Sequence, residues 1–240
     1  VTVTYDFAGR RAVVTGGARG LGRVAAERLR DAGATVEAWD IDPVAVAGIA
    51  PVAVDVTSAA QVEAAVARAA ALGGIDILVV AAGYGGSRRP LESVTDAEWR
   101  QVLDVTLTGV FHVCRAVVPV MRRAGGGRIV TVASLAAKEG RAGLAAFSAA
   151  SAGIVAFSKA LGKELADTPV RVNCIAPAAI DTEFVRVMPQ AAIDAMIARS
   201  PMKRLGTVAE FAELVAWLCS DACTFNSGAV FDLTGGQASY

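Results

Sequence analysis

The chain has 240 residues, 54% hydrophobic and 19% charged, enough for a large buried core, and no Pro/Ser-rich linker or charge run divides it, so residues 1–240 are expected to form one domain. Its 23 basic and 23 acidic residues cancel, which argues against electrostatic nucleic-acid binding. No run of about 18 uninterrupted apolar residues suggests a membrane span, and Val1 to Phe7 lacks a basic stretch followed by an apolar one, so no signal peptide is expected.

The four cysteines, Cys114, Cys174, Cys219 and Cys223, match no zinc spacing. They are expected to be small buried hydrophobes in a reducing cytoplasm, with no metal.

Short β-branched runs alternate with longer amphipathic ones along the chain. Arg11 to Thr15 predicts a buried strand, and Leu21 to Ala32 a helix stopped by Gly33. Thr35 to Trp39 and Pro51 to Val54 predict two more strands. Ser58 opens a helix to Ala71, ended by Gly73-Gly74. Asp76 to Val80 is the fourth strand, and Thr95 to Met121 is mostly helical. Gly127 to Ala133, Val170 to Ile175 and Ala229 to Leu233 complete the strands, with a long helix over Leu144 to Ala166 and two more helical stretches after Pro189.

This alternation predicts an α/β fold: a three-layer, doubly wound, mostly parallel sheet of seven strands with helices on both faces, the Rossmann arrangement. Ligands on such sheets bind at the carboxyl ends of the strands, at the switch point.

Directly after the first strand comes Thr15-Gly16-Gly17-Ala18-Arg19-Gly20-Leu21-Gly22, and a helix follows at once. Glycines allow a tight turn and close backbone approach to a pyrophosphate, and the helix start offers N–H groups to it. Asp40 ends the second strand about 20 residues on, where a carboxylate accepts ribose hydroxyls and repels a 2′-phosphate. Asp40 favours NAD(H) over NADP(H). Arg19 pulls the other way, because a basic residue in this loop can reach a 2′-phosphate.

These motifs, in this order, resemble the short-chain dehydrogenase/reductase family over essentially the whole chain. Thr15 to Gly22 stands where that family has TGxxxGxG, and Asp55-Val56 resembles its adenine-contacting pair. Val80-Ala81-Ala82-Gly83 stands at NNAG. Pro177 to Thr182 resembles the loop after strand six, and Phe231 to Gly236 the closing motif. The resemblance implies cofactor contacts at Gly16, Arg19, Gly20, Leu21, Gly22, Asp40, Ile41, Asp55, Val56, Ala81, Ala82, Gly83, Pro177, Ile180 and Thr182. The Ile180 backbone and Thr182 side chain would hold the nicotinamide carboxamide. Residues 183–201 resemble the substrate lid.

The family's catalytic group is a Ser, a Tyr-x-x-x-Lys pair and an Asn. Tyr and Lys at i and i+4 share a helix face. The lysine lowers the tyrosine pKa, and the tyrosine exchanges a proton with the substrate oxygen. Here Ser134 is present, but Phe147 stands at the tyrosine position, Ser151 at the lysine and Thr106 at the asparagine. Phe cannot donate a proton, and general acid–base catalysis is worth about 10²–10⁴-fold.

The resemblance therefore implies an NAD(H)-binding, atypical enzyme acting on a small molecule. It would transfer hydride without a tyrosine acid, or run redox-neutral dehydration, isomerisation or cyclisation. The alternatives are a non-catalytic subunit of an active paralogue and an ordinary oxidoreductase with a relocated acid. For that acid, Lys138, Glu139, Asp181 and Glu183 are the candidates. His112 is expected to be packed, and Lys138, Glu139 and Arg141 to serve the loop. Family members are commonly tetramers joined through helices matching residues 95–121 and 144–166, so a homotetramer or a hetero-oligomer is expected.

Overall fold

The computed structural model describes residues 3–240. Its sheet runs β3-β2-β1-β4-β5-β6-β7, and every neighbouring pair is parallel. The strands are β1 (Arg11–Thr15), β2 (Thr35–Asp40), β3 (Ile49–Ala53), β4 (Ile77–Val80), β5 (Gly127–Val132), β6 (Val170–Pro177) and β7 (Val230–Leu233). The central strands are apolar on both faces because helices cover both; β4, Ile-Leu-Val-Val, is buried throughout. Pro51 lies in the edge strand β3, where a missing N–H is tolerated.

Helices α1 (Gly20–Asp31) and α9 (Val208–Cys219) cover one face. The other is covered by α2 (Ala59–Ala71), α4 (Gly109–Ala124) and α6 (Ala145–Glu164). Each presents one stripe at helical spacing: Gly22, Ala25, Ala26 and Leu29 on α1, and Val62, Ala65, Val66 and Ala69 on α2. Ser58 caps α2, accepting from the Gln61 amide at 3.4 Å.

Residues Thr95 to Met121 do not form one regular helix. An α-helix, α3 (Asp96–Leu103), leads into a π-helical turn, Asp104–Thr108, before α4. Within this turn the Thr106 side-chain hydroxyl bonds the backbone of Tyr84. Pieces too short for a periodicity signal also appear: α5 (Ala136–Glu139), α7 (Glu183–Arg186) and a 3₁₀ turn at Leu91–Ser93. The remaining helix is α8 (Gln190–Arg199).

Asp96–Ala124 and Ala145–Glu164 are long and apolar enough to cross a membrane by length and composition, which a search for uninterrupted apolar runs does not register. In this fold their buried faces, including Val113, Val117, Met121 and Ile154, close the core against the sheet.

One buried charge was not legible in the strand pattern. Glu37 on β2 is 4% exposed. It accepts from the Trp39 indole at 2.9 Å and from Arg68 at 2.6 Å, with Arg11 at 3.8 Å. All four cysteines are free and buried, and burial pushes the Cys114 and Cys219 thiols up to about 12. Among the described residues, no cluster of His, Cys, Asp or Glu could hold a metal ion.

Candidate functional site

The strand order reverses between β1 and β4, and the glycine loop lies at that point. Thr15 ends β1 fully buried; its carbonyl accepts from the Ala81 amide and its hydroxyl from the Ala82 amide, both at 3.2 Å. This draws the β4 loop against the glycine loop. Gly16 has φ +65, and a Cβ there would lie 2.8 Å from Ala82 Cα. A Cβ on Gly22 would meet the Gly16 carbonyl at 2.1 Å. Both positions therefore require glycine.

The α1 N-terminus has no side-chain cap and no acidic residue in its first turn. Its amides remain available to an anion, and the helix dipole favours one there. Gly20 (φ +55) and Leu21 open this helix beside Arg19. A cleft of about 190 Å³ runs from Gly20 and Arg23 to Asp181, Thr182 and Glu183. The cradle and the uncapped helix start suit a dinucleotide pyrophosphate.

Asp40 reaches back to the same loop. Its Oδ2 accepts from the Ala18 amide at 3.2 Å and its Oδ1 from the Asp42 amide at 3.1 Å. Arg19 is ion-paired with Asp42 on the surface. Ile41 is 72% exposed. Asp55 accepts from the amide and hydroxyl of Thr57 at 2.9 and 2.7 Å, fixing the turn before α2. Val56 is buried beneath Gly109, whose Cβ would meet it at 2.7 Å.

Ser134 follows β5, and its hydroxyl accepts from the Ala136 amide at 3.2 Å. Next to it, the Leu135 amide donates to the Pro177 carbonyl at 2.9 Å, so the loops after β5 and β6 adjoin. Ile180 is buried and bridged to Gly206. Thr182 caps α7, accepting from the Val185 amide at 3.4 Å.

Phe147 and Ser151 lie one turn apart on α6. Phe147 packs on Val102, Ala146 and Ala150. Ser151 is fully buried, and its hydroxyl has no hydrogen-bond partner. Thr106 lies 3% exposed in the π-helical turn, with Gly83 against it. Its Oγ1 accepts from the Tyr84 amide at 3.0 Å and donates to the Tyr84 carbonyl at 3.1 Å.

Most candidates for a relocated acid are engaged elsewhere. Lys138 donates to Asp232 at 2.7 Å and to the Tyr240 carbonyl, and Glu139 accepts from Gln237 at 3.3 Å. Arg186 donates twice to Asp181, at 2.8 and 3.0 Å, and holds its carboxyl below the usual range. His112 Nδ1 lies 3.0 Å from the Val56 carbonyl, a packed histidine. The Ser148 hydroxyl accepts from the Arg141 amide at 3.0 Å, tying the loop before α6 to that helix.

Sequence reasoning passed over Tyr84 and gave Arg141 only a loop role. Tyr84 directly follows Gly83 and is 39% exposed; its adjacency to Gly83 was the available signal. Arg141 carried none, because its loop packs against the distant loop after β4, where the Arg89 amide donates to the Gly143 carbonyl at 3.0 Å.

The family model described as enoyl-(acyl carrier protein) reductase matches residues 16–238. The chain is 40% identical to 2-dehydro-3-deoxy-L-rhamnonate dehydrogenase (NAD(+)) of Sphingomonas sp. (strain SKA58), over 98% of this chain and 97% of that one. It is 38% identical to cis-4-hydroxycyclohexanecarboxylate dehydrogenase of Sinomonas cyclohexanicum, over 96% and 97%. The ligand-free aldohexose dehydrogenase of Thermoplasma acidophilum superposes with a TM-score of 0.91 at 29% identity, over 97% and 94% of the two chains. By fold, motif order and kinship, the chain belongs to the short-chain dehydrogenase/reductase family of nicotinamide-dependent oxidoreductases.

Proposed function

We propose that the protein binds NAD(H) in preference to NADP(H) and transfers hydride between it and a small hydroxy or oxo substrate without the family's tyrosine–lysine relay. The observation that carries this reading is Asp40, whose carboxylate is fixed at the glycine loop by the Ala18 amide while Asp42 engages Arg19. A fixed carboxylate accepts ribose hydroxyls and repels a 2′-phosphate, and the one basic side chain in the loop is already paired. The Sphingomonas relative, named as NAD(+)-dependent, supports the same choice.

When bound, the nicotinamide supplies hydride exchange at C4. The chain's own residues bind and orient. The loop from Gly16 to Gly22 and the α1 N-terminus would receive the pyrophosphate, Ile180 and Thr182 would hold the carboxamide, and Ser134 would orient the substrate oxygen. Phe147 contributes an apolar wall and carries no proton, and Ser151 carries no charge. Proton exchange therefore runs through water or the substrate itself, at a cost of about 10²–10⁴-fold relative to a positioned acid. The Sphingomonas and Sinomonas relatives are named for molecules bearing a carboxylate, which supports a small organic acid as the substrate, while the Thermoplasma neighbour is named for an aldohexose.

Fluorescence titration with NADH and NADPH tests the cofactor choice. Tighter NADH binding, by about tenfold or more, is expected from an unscreened like-charge contact to the 2′-phosphate. Equal or tighter NADPH binding overturns it.

A second reading, an NAD(H)-binding subunit of a larger assembly, draws on the outer faces of α4 and α6. Phe111 is 41% exposed there, with the Arg115 guanidinium 4.8 Å from its ring centre. Light scattering of the purified chain, alone and with co-purified partners, tests it. A monomer with its own turnover overturns it.

A further inference from the structure

We propose that Arg10, Arg128 and Arg171 line a second ligand site, one that takes a phosphate group, at the end of the sheet opposite the glycine loop.

These residues share the wall of a cavity of about 440 Å³ at the amino ends of β1, β5 and β6. Arg10 directly precedes β1, Arg128 is the second residue of β5 and Arg171 the second residue of β6. The six residues of β5 separate the cavity from the Ser134 loop by about 20 Å at the usual strand rise. It has no lining residue in common with the cleft beside Gly20 and Thr182.

Pairing across the sheet and a shared carboxylate bring the arginines together. Arg128 and Arg171 are in-register neighbours on parallel strands, so their side chains leave the same face side by side. Arg10 and Arg128 take opposite oxygens of Asp221: Arg10 holds Oδ2, and Arg128 Nη2 lies 3.5 Å from Oδ1. Backbone carbonyls then fix the guanidiniums. Arg128 donates to the Ser220 and Gly127 carbonyls, both at 3.1 Å, and Arg171 to the Thr224 carbonyl at 2.7 Å. The Arg128 and Arg10 side chains are only 11% and 28% exposed.

This anchoring leaves donors over. Among the described residues Arg171 Nη2 donates to no acceptor, and it is not sealed from solvent. Asp221, itself 76% exposed, is the only acid among them that pairs with any of the three arginines. Asp76, the other carboxylate in the wall, accepts from the Arg11 amide at 2.8 Å. Three positive charges therefore meet two negative ones. Like charges set opposite on neighbouring strands are unfavourable. Burial lowers the Arg128 pKa, with Asp221 opposing it and Arg10 and Arg171 adding to it.

An anion in the cavity relieves this repulsion. A carboxylate is planar and answers a single guanidinium fork, whereas phosphate oxygens point in several directions and can accept from guanidiniums on different walls. Guanidiniums already held by carbonyls lose little freedom on binding. The volume equals that of about fifteen liquid waters, which leaves room for a group attached to the phosphate.

Isothermal titration with orthophosphate, pyrophosphate and AMP, on the protein alone and with NADH present to fill the glycine loop, tests the site. At least one of the three is expected to bind one per chain, and the tightest tells free from esterified phosphate. Arg171→Gln, and Thr224→Asp, which sets a carboxylate in the cavity wall, should each weaken that binding about tenfold or more. Arg100→Gln, exposed on α3, should leave it unchanged. Thr224→Asp touches no guanidinium and carries the test if Arg171→Gln fails to fold. The site is overturned if none of the three binds, if the variants bind as tightly as the parent, or if citrate outbinds all three. Absence of NADH binding, with the losses in both variants intact, overturns the cofactor reading and supports this site.

Discussion

The hydroxyl of Thr106 makes both hydrogen bonds available to the backbone of Tyr84, accepting from its amide at 3.0 Å and donating to its carbonyl at 3.1 Å. One side chain thus pins the loop after β4 to the π-helical turn. Thr106→Val keeps the shape and removes both bonds. It should cost about 1–2 kcal/mol by denaturant unfolding and speed hydrogen exchange at Tyr84, while Thr106→Ser should retain most of the stability. Parent-like stability in the valine variant would show that water replaces both bonds.

At the adenine end, Asp42 competes with any 2′-phosphate for Arg19. Asp42→Ala should release Arg19 and tighten NADPH binding by about three- to tenfold, with NADH little changed. Asp40→Ala should weaken NADH and narrow the discrimination further. Unchanged NADPH affinity in both variants would remove the charge argument.

The Ser151 hydroxyl is buried without a partner. Replacing it by Ala should therefore be neutral or stabilising, by up to about 1 kcal/mol, read as a melting temperature at or above the parent's. A clear fall would reveal an ordered water at the hydroxyl. Combining Thr106→Asn, Phe147→Tyr and Ser151→Lys should yield carbonyl reductase activity about 10²-fold or more above the parent. Strong activity in the parent would contradict the missing relay.

The start of α9 supplies a pH dependence. Arg204, then the Thr207 amide, hold the Glu210 carboxyl down at about 2, and Thr207 and Glu210 form a reciprocal cap. A depressed folded pKa stabilises above the unfolded value and loses that contribution as pH falls toward the folded one. The melting temperature gap between parent and Glu210→Gln should thus be widest at neutral pH and shrink between about pH 4.5 and pH 2. A gap independent of pH would rule out the ionised cap. Thr207→Ala should cost about 1 kcal/mol.

The strands and the glycine loop were legible because their signals are local: apolar runs such as Ile77 to Val80, and glycines between a strand and a helix. The π-helical turn was not, because Asp104 to Thr108 keeps a helical composition and the Thr106 hydroxyl bonds a backbone 22 residues away. Glu37 was hidden for the same kind of reason: Arg68 lies 31 residues along the chain. In the site, Asp40 was suggested by its distance from the glycine loop, and Ser134, Phe147 and Ser151 by the family resemblance. The pairing of Arg19 with Asp42 was not legible, since sequence spacing says nothing about which loops meet.

The four sealed cysteines have a practical consequence. With every cysteine buried and the thiols of Cys114 and Cys219 pushed up to about 12, the native surface offers no thiolate to a maleimide. A cysteine introduced at Val187, 82% exposed between α7 and α8, would be the sole labelling point on the folded protein. A fluorophore there could follow residues 183–201 as ligands enter, without first stripping the chain of its own thiols.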